Sequence, residues 1–370
     1  MVESGNPFDT IKQIDSANEL LDIAFSRANR VRAPAGKMSN LERSKAHEIN
    51  RINMISSIVT SRLEFVVQKF PSINLLHPFY RELGQILSNL DEIKLSLGRI
   101  NGAVNTIANI QESITLEIQS SNSKDDVKIS RKRFYGRIAS VLQNIDSSLI
   151  FMKDAVKKLQ TLPSFNPTIP CVVMSGFPNT GKSSFIKLAT SGKPEIASYP
   201  FTTKKLIFGH RNFGFIPIQF VDTPGILDRP LSQRNSIELQ AITAFKFLAD
   251  ILFFLIDPST NAEASIDSQI NLFKEIQDYY PELKVHLVLS KSDLLSSNQL
   301  KEIESEVRDM TGVEQIFKIS TVSESGISEI INHLSSELKL ILRQPKYRGV
   351  RGFEIAEDQK TIDQLEEFSF

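Results

Sequence analysis

The sequence predicts an N-terminal bundle of α-helices followed by a doubly wound α/β domain with a mostly parallel sheet. From about residue 169 to residue 342, apolar strand candidates alternate with helical patterns, the order that produces a parallel sheet covered by helices. Before residue 165, apolar positions recur at helical spacing and strand signals are few. Pro163, Pro167 and Pro170 separate the two patterns. We therefore divide the chain into domains at residues 1–165 and 166–343 and an acidic C-terminal tail at 344–370.

Apolar periodicity predicts the individual elements in order along the chain. In the first part, helical spacing covers residues 49–70, 80–97, 107–119 and 129–160. The His-Pro-Phe-Tyr segment at 77–80 predicts a turn between helices that packs into the bundle. In the second part, buried strands are predicted at 171–174, 216–221, 251–256 and 285–289, with a fifth around Ile316 and Ile319. Helices are predicted at 182–189, 236–249, 265–279, 299–311 and 327–342.

Composition excludes several classes of protein. The chain has 370 residues, a formal net charge of zero and one cysteine. The length allows two or three domains, and the zero charge provides no general basic field for nucleic acid. Cys171 alone rules out a disulfide framework and suits a reducing compartment. The longest strongly apolar run, Ile251–Ile256, is far too short to span a bilayer. We expect a cytoplasmic monomer with no signal peptide and no membrane partner.

A complete phosphate-binding loop lies between the first predicted strand of the α/β domain and a helix. Its glycines and the helix N-terminus would direct backbone N–H groups at a phosphate. Lys182 would reach the β- and γ-phosphates, and the Ser183 hydroxyl would ligate Mg²⁺. The alternative is a glycine-rich turn with a chance lysine. The expected nucleotide contacts of this loop are Gly176, Phe177, Pro178, Asn179, Thr180, Gly181, Lys182, Ser183 and Ser184.

The next motif, Asp222-Thr223-Pro224-Gly225, ends the strand predicted at 216–221. Asp222 can hold Mg²⁺ through water, and the Gly225 N–H can approach the γ-phosphate closely. Taken alone, these four residues are an ordinary strand-ending turn. Because Asp222 follows Gly176 by 46 residues, the motif matches the second metal and γ-phosphate motif of a GTPase.

Between these motifs lies a predicted switch loop that contains Phe201, Thr202 and Thr203. A threonine hydroxyl there could bind Mg²⁺ only when the γ-phosphate is present. Both threonines can fill that role on residue type alone. We expect Lys182, Gly225 and one of the two threonines to take part in hydrolysis.

Base specificity is predicted from the residues that follow the strand at 285–289, namely Ser290, Lys291, Ser292 and Asp293. Asp293 can accept from the N1–H and N2–H₂ of guanine, which disfavours an ATP-using kinase. Lys291 would lie along the face of the base. The usual pattern begins with asparagine, and the shorter Ser290 braces the phosphate loop less, so nucleotide affinity is expected to be modest. A weak final motif for the guanine oxygen is formed by Ser320, Thr321 and Val322.

A basic cluster in the helical part is the candidate RNA contact. Arginine forks bind phosphate oxygens and aromatic rings stack on unpaired bases. The alternative is a solvated helix face with two buried aromatics. The cluster consists of Arg131, Lys132, Arg133 and Arg137, with Phe134 and Tyr135 between them.

Together these motifs resemble the Obg-type GTPases. The resemblance rests on the phosphate loop at 176–184, Tyr-Pro-Phe-Thr-Thr-Lys at 199–204 and the segment 222–231. Residues 234–242, Arg-Asn-Ser-Ile-Glu-Leu-Gln-Ala-Ile, narrow it to the nucleolar GTP-binding protein (Nog) branch. Segments 19–24, 77–80, 97–101 and 136–137 match that branch too, so the resemblance runs from about residue 8 to 342.

This resemblance implies a helical domain fused to a P-loop GTPase domain, Mg²⁺-dependent GTP hydrolysis and a role in large ribosomal subunit assembly through ribosomal RNA and proteins. It favours Thr203 over Thr202 as the Mg²⁺ ligand. It also makes Asn179 a candidate ligand for K⁺ beside the phosphates, the alternative being a purely structural role in the loop. Two departures from the family pattern are noted: Ser290 stands in place of asparagine, and we expect no counterpart of the long basic C-terminal extension of eukaryotic relatives. We expect a compact archaeal-type form.

The residues after the Asp222 motif predict slow intrinsic hydrolysis. Ras-type GTPases have a water-orienting glutamine directly after the motif glycine, where this chain has Ile226, followed by Leu227. Neither side chain can hydrogen-bond to water. Two functions remain open: a GTP-hydrolysing switch that docks on ribosomal RNA through its helices, and a GTP/GDP sensor that binds a protein partner through the same helices.

Overall fold

The computed structural model describes residues 5–192, 195–199, 205–214, 216–223, 227–344 and 347. The chain forms two compact units. A helical unit contains residues 7–76 and 87–160, and an α/β unit contains the described residues of 5–6, 77–86 and the chain from Thr161 onward. The predicted domain division at residues 165/166 remains a proposal, and it counts residues 77–86 with the helical part.

The N-terminal half is helical, as predicted. Capping boxes begin three of its helices, in which the hydroxyls of Ser16, Ser39 and Ser123 accept from the backbone three residues later. Buried apolar residues then recur every three or four positions, which gives each helix a face toward the core. The helices are α1 (Ala17–Ala28), α2 (Asn40–Lys69), α3 (Pro78–Ser88), α4 (Leu90–Ser120) and α5 (Lys124–Leu159).

The helices differ from the sequence prediction in several places: α1 was not predicted, and α2 and α5 begin nine and five residues earlier than expected. The two further differences have a clear physical cause. The stretch predicted at 80–97 is interrupted at Asn89, whose left-handed backbone (φ 42°) ends α3 and whose side chain accepts from Glu92 N to begin α4. In contrast, the predicted gap between residues 97 and 107 is continuous helix. Gly98 and Gly102 are tolerated there because Ile100, Ala103 and other apolar residues of α4 are buried on the same helix face.

The α/β unit contains a seven-stranded, mostly parallel sheet, which confirms the predicted class. The strands are β1 (Cys171–Ser175), β2 (Glu195–Ser198), β3 (Lys205–Phe213), β4 (Ile216–Asp222), β5 (Ile251–Ile256), β6 (Lys284–Leu289) and β7 (Ile316–Lys318). The strand order is β2-β3-β4-β1-β5-β6-β7, with β1, β4, β5, β6 and β7 parallel to one another. The helices are α6 (Lys182–Ala189), α7 (Ser236–Ala244), α8 (Ile266–Tyr279), α9 (Ser297–Thr311) and α10 (Ile327–Ile341).

Two strands and one helix end were not predicted. β2 and β3 are antiparallel to their neighbours and lie at one edge of the sheet. β3 mixes buried, partly buried and exposed positions instead of forming a continuous apolar run, so its sequence lacks the signal of a strand that is buried on both faces. α7 ends at Ala244, five residues before the predicted end, and a 3₁₀ turn with buried Phe245 follows it.

The parallel strands position the predicted motifs at one edge of the sheet. Every residue of the central strands β1 and β5 is buried, and their side chains contribute to a core completed by α6 and α10. The motifs that begin at Gly176, Asp222, Ser290 and Ser320 follow the carboxyl ends of β1, β4, β6 and β7. Ligands of doubly wound sheets bind outside these carboxyl ends. Among the described helices, none is long and apolar enough to cross a membrane.

The His-Pro-Phe-Tyr segment at 77–80 belongs to the α/β unit, so the prediction that it packs into the helical bundle was wrong. Phe79 is fully buried, and its ring centroid lies 4.6 Å from that of Phe165 and 6.3 Å from that of Phe245. The Tyr80 hydroxyl donates to Pro163 O at 2.9 Å. Aromatic burial near the sheet, rather than the helical spacing of its neighbours, decides where this segment lies.

Candidate functional site

A pocket of about 420 Å³ lies at the carboxyl edge of the sheet. It brings together residues from four of the five predicted nucleotide motifs, although the first and last of these are more than a hundred positions apart in sequence. The lining residues are Pro178, Asn179, Gly181, Lys182, Ser183, Ser184, Asp222, Asp228, Lys291, Asp293, Leu294, Thr321 and Val322.

Glycine is required at two positions of the phosphate loop. Gly176 has φ +126°, and a Cβ atom there would collide with Leu255 O of the neighbouring strand. Gly181 has φ +95° and precedes the first turn of α6. The loop therefore turns sharply against β5 and directs the chain into the N-terminus of α6, the arrangement that suits a bound phosphate.

Lys182 is held inside the phosphate loop. Its Nζ donates to Gly176 O at 2.8 Å and to Phe177 O at 2.6 Å, and the residue is 6% exposed. These backbone oxygens hold the ammonium group beside the helix N-terminus. A phosphate in the pocket would therefore meet a positive charge that is already in position.

The side chains of Ser183 and Asp222 form a candidate site for Mg²⁺. The Ser183 hydroxyl donates to Asp222 Oδ2, while Oδ1 of this fully buried carboxylate has no hydrogen-bond partner among the described residues. Burial raises the pKa of Asp222, and the Ser183 hydrogen bond and the Lys182 charge oppose that rise. A hydroxyl beside a buried carboxylate oxygen that lacks a partner is chemically suited to a hard divalent cation.

Part of the predicted γ-phosphate machinery lies outside the described residues. This applies to the predicted nucleotide contacts Phe201, Thr202, Thr203, Pro224 and Gly225, and to Ile226, so the choice between the threonines remains a prediction. The flanking residues are described: Thr223 Oγ1 donates to Met174 O at 2.8 Å. Leu227 is buried and its carbonyl accepts from Gly176 N at 3.2 Å. The backbone after the Asp222 motif is therefore bonded directly to the phosphate loop.

On the base side of the pocket, an ion pair positions Lys291. Its Nζ lies 2.6 Å from Oδ2 of buried Asp257, and its backbone is left-handed (φ 51°). Asp293 follows within a short 3₁₀ turn and is exposed toward the pocket, next to Leu294. A carboxylate in this position can accept hydrogen bonds from a base that enters the pocket.

The serines of the last two motifs support the backbone. The Ser290 hydroxyl donates to Ile256 O at 3.0 Å, so it braces the sheet rather than the phosphate loop. The Ser320 hydroxyl accepts from Val322 N at 3.2 Å and from Ser323 N at 3.1 Å, which forms a serine turn. Thr321 and Val322 are thereby placed at the pocket, and Ser292 N donates to Ile319 O at 3.0 Å.

Four residues near the pocket were not identified from the sequence. Asp228 lines it and is 5% exposed, and Leu294 lies beside Asp293. Asp257 holds Lys291, and Glu263 accepts from Asn179 Nδ2. The only sequence signal was the position of Asp228 in the segment 222–231. Asp257 contacts Lys291, 34 positions away, and Glu263 contacts Asn179, 84 positions away. A local sequence pattern cannot predict such contacts.

The basic cluster on α5 is not a uniform exposed patch. Arg131 Nη1 lies 2.8 Å from Oε1 of buried Glu48, and Arg133 pairs with Glu117. Lys132 and Arg137 are exposed and make no ion pair among the residues that the structure describes.

The two aromatic residues of this cluster face the helical core. Phe134 is fully buried, so the suggestion that its ring could stack on a base is wrong. The ring of Tyr135 lies 4.9 Å from that of Phe25, and partial burial raises the pKa of its hydroxyl. Any RNA contact by this segment must therefore depend on its cations alone.

The phosphate loop, the aspartate-terminated β4 and the Lys291–Asp293 turn at one sheet edge define a P-loop GTPase domain preceded by helices. Comparison with known families agrees: residues 8–166 match the NOG1 N-terminal helical domain, and residues 171–291 match the 50S ribosome-binding GTPase domain. The chain belongs to the nucleolar GTP-binding protein (Nog) family.

Individual relatives show how far the similarity extends. An uncharacterized protein of Methanocaldococcus jannaschii is 36% identical over 81% of this chain and 85% of its own length. Nucleolar GTP-binding protein 1 of Caenorhabditis elegans is 31% identical over 90% of this chain and 49% of its own length. The chain thus spans about half the length of the named nucleolar GTP-binding proteins that it matches. A crystal structure assigned to this family, from Plasmodium falciparum, is 28% identical over 55% of this chain, with a TM-score of 0.40.

Proposed function

We propose that this protein is a GTP-hydrolysing switch in large ribosomal subunit biogenesis and that its helical unit contacts ribosomal RNA. The GTP-hydrolysis part of this proposal rests on the pocket that contains Lys182, Ser183 and Asp222 together with Lys291 and Asp293. The proposed role in ribosomal subunit biogenesis is supported by the family, because its GTPase domain is described as 50S ribosome-binding and its eukaryotic members are named nucleolar. In this proposal the chain acts as a cytoplasmic monomer.

The nucleotide chemistry follows from the charges at the pocket. Lys182 offsets charge on the β- and γ-phosphates, and Ser183 and Asp222 hold Mg²⁺, which neutralises charge on the phosphate oxygens. Thr203 and Gly225 complete the γ-phosphate site in this proposal. Leu227 is buried and its carbonyl is bonded to the phosphate loop, so it provides no group to orient water. Intrinsic hydrolysis is therefore slow and depends on added charge or on a partner.

Asn179 is the residue through which K⁺ would accelerate hydrolysis. Its backbone is left-handed (φ 59°) and its Nδ2 donates to Glu263, which orients Oδ1 as the remaining polar atom of the amide. A monovalent cation at Oδ1 would offset charge that develops on the phosphates in the transition state. We expect turnover to be several-fold faster in KCl than in NaCl at equal ionic strength. This corresponds to an activation free energy that is lower by about 1 kcal/mol.

The measurement is steady-state phosphate release by the purified full chain in the two salts. Asn179→Ala should remove the difference between the salts, whereas Asn212→Ala, an exposed asparagine on β3, should retain it. Equal rates in the two salts for the parent protein would reject the cation role. Fast turnover of the isolated protein in NaCl would contradict the expectation of slow intrinsic hydrolysis.

The RNA-facing surface, in this proposal, is the α5 face that carries Arg133 and Arg137. These residues are four positions apart and lie about 40° apart around the helix, whereas Lys132 and Arg137 are separated by about 140°. The Arg133–Glu117 pair is about half exposed, and such pairs contribute about 1 kcal/mol or less, so a phosphate can replace Glu117. Arg131 instead neutralises buried Glu48 and supports the helical unit itself.

We expect the double variant Arg133→Gln/Arg137→Gln to weaken binding to purified large ribosomal subunits. Each lost phosphate contact should lower the slope of log affinity against log salt by about one, so the double variant should lose about two. Co-sedimentation at a series of salt concentrations measures this slope. Lys94→Gln/Lys157→Gln removes the same charge from other exposed positions of the helical unit and serves as the control.

The alternative function is a GTP/GDP sensor that binds a protein partner through the same helices. Pairing of Arg131 and Arg133 and burial of Phe134 favour this alternative over a broad RNA patch. If the double variant and its control lose affinity equally, or if neither does, the assignment of RNA contact to Arg133 and Arg137 is wrong. Retained binding with no salt dependence would favour a protein contact.

A further inference from the structure

Two histidines and a glutamate converge on the side of the α/β unit between β6 and α10. His286 lies on β6, and His333 and Glu337 lie one turn apart on α10. One ligand atom from each of the three side chains lies within 4.8 Å of the others. None of these residues belongs to the nucleotide pocket, and no step of the proposed GTPase function uses them.

Both imidazoles carry a buried nitrogen without a hydrogen-bond partner among the described residues. Nε2 of His286 and Nε2 of His333 make no hydrogen bond within the part of the chain that the structure describes. The rings lie edge to face with centroids 4.7 Å apart, and those of Phe253 and Phe317 pack against them. Proteins rarely bury polar atoms without a partner, and a bound ion can fill that role. Burial among these rings also lowers the pKa of both histidines, which favours the neutral imidazole that binds metal ions.

One of the three ligand-atom spacings is already close to that of a bound divalent ion, and all three lie within 4.8 Å. His333 Nε2 lies 3.7 Å from Glu337 Oε1. In a tetrahedral zinc site, metal–ligand bonds of about 2.0–2.2 Å place neighbouring ligand atoms about 3.4 Å apart. We propose that His286, His333 and Glu337 form a binding site for a divalent transition-metal ion of the zinc type, with water as the fourth ligand.

Lys284 would compete with this ion for the carboxylate of Glu337. It begins β6, and its Nζ lies 2.6 Å from both carboxylate oxygens of Glu337. Its side chain is about half exposed, so the ammonium can move into solvent when a metal ion takes one of these oxygens. This competition makes the metal site distinguishable from an ordinary salt bridge. If Glu337 binds a metal ion, removal of Lys284 should strengthen that binding. If Glu337 only forms a salt bridge, removal of Lys284 would weaken the ion pair and have no other effect.

The ion would link two elements that flank the base side of the nucleotide pocket. His286 lies four residues before Ser290, and α10 begins five residues after Val322. A metal ion that bonds β6 to α10 therefore stabilises the framework behind both motifs. Because such an ion binds the folded chain, it should raise the midpoint of thermal unfolding.

The test is titration of the chelator-treated full chain with ZnCl₂ by calorimetry, together with visible absorption of the Co²⁺ form and thermal unfolding. We expect one Zn²⁺ per chain and intense tetrahedral Co²⁺ bands. His333→Asn and Glu337→Gln should each lower affinity at least about tenfold. Lys284→Met should raise it about fivefold, the effect of removing one nearby cation in a largely aqueous setting.

Two control variants locate the ion. His210→Asn removes a histidine on β3, away from the cluster, and Ser183→Ala removes the proposed metal ligand of the nucleotide pocket. Both should bind Zn²⁺ as the parent chain does. Circular dichroism of the metal-free His333→Asn and Glu337→Gln variants shows whether they are folded. The proposal is overturned if the parent binds no Zn²⁺, if His333→Asn binds as tightly as His210→Asn, or if Lys284→Met weakens binding.

Discussion

Replacement of Lys182 by alanine is expected to lower Mg²⁺-dependent GTP turnover by about 10³-fold or more, a loss on the scale seen when a transition-state cation is removed. The structure gives the physical reason. Lys182 is only 6% exposed, and its ammonium group is held by Gly176 O and Phe177 O beside the N-terminus of α6. A preorganised charge of this kind needs no rearrangement when charge develops on the phosphates.

A related prediction concerns Ser183, the proposed Mg²⁺ ligand. Ser183→Ala removes the hydroxyl that lies against Asp222 and should also abolish Mg²⁺-dependent turnover. Ser183→Thr keeps a hydroxyl at the same position and should restore it, because either residue can fill this place in the loop motif. Phosphate release at saturating GTP, measured over a range of Mg²⁺ concentrations, separates a binding loss from a catalytic loss.

The control for these variants is Lys187→Ala, which removes an exposed lysine five positions further along α6. Its turnover and its midpoint of thermal unfolding should equal those of the parent. Because Lys182 also bonds to loop carbonyls, unfolding without nucleotide must be recorded for Lys182→Ala as well. Hydrolysis at the parental rate in folded Lys182→Ala or Ser183→Ala would exclude this loop from catalysis.

The second large effect concerns the base. Asp293→Asn should reverse the preference between guanine and xanthine nucleotides. The Asp293 carboxylate can accept from guanine N1–H and N2–H₂, whereas an asparagine amide accepts from N1–H and donates to the 2-oxo group of xanthine. A site built around a hydrogen-bonded pair rejects the mismatched base by about 10⁴-fold, so a large change is expected.

Competition between GDP and xanthosine diphosphate for the purified chain measures this preference. Asp309→Asn, an exposed aspartate on α9, undergoes the same chemical change away from the pocket and should bind GDP as the parent does. If Asp293→Asn retains GDP affinity and gains none for xanthosine diphosphate, Asp293 does not contact the base. Lys291 is held by buried Asp257 rather than by Asp293, so loss of the Asp293 charge should not displace it.

Much of the α/β unit could be predicted because its information is local. A strand that is buried on both faces needs a mostly apolar run; β5 is apolar throughout and β1 nearly so, whereas the runs of β4 and β6 are interrupted only by Gln219 and His286. The loop motif alone predicts glycine at position 176. The structure gives the reason, which is the close approach of this residue to Leu255 O. Parallel strands bring their carboxyl ends to one edge, so the order of the motifs already predicts a shared pocket.

The same local signals failed where burial depends on distant partners. β3 mixes buried and exposed positions and has no continuous apolar run, and residues 77–86 have helical spacing but pack in the α/β unit. The basic cluster was interpreted as one patch because the sequence shows charge but not pairing. Glu48 neutralises Arg131 from a position 83 residues away in the chain.

The sequence by itself determined the fold class, the Nog family and the residue types of the nucleotide site, because glycine conformation, apolar runs and motif spacing act over short distances. The tertiary structure alone decided which charges are neutralised and which nitrogen atoms lack a partner. Asp257 orients Lys291 and Glu263 orients Asn179 across long separations in sequence. The cluster of His286 with His333 exists only because β6 and α10 pack together. Such interactions depend on distances in space, and a linear pattern does not contain those distances.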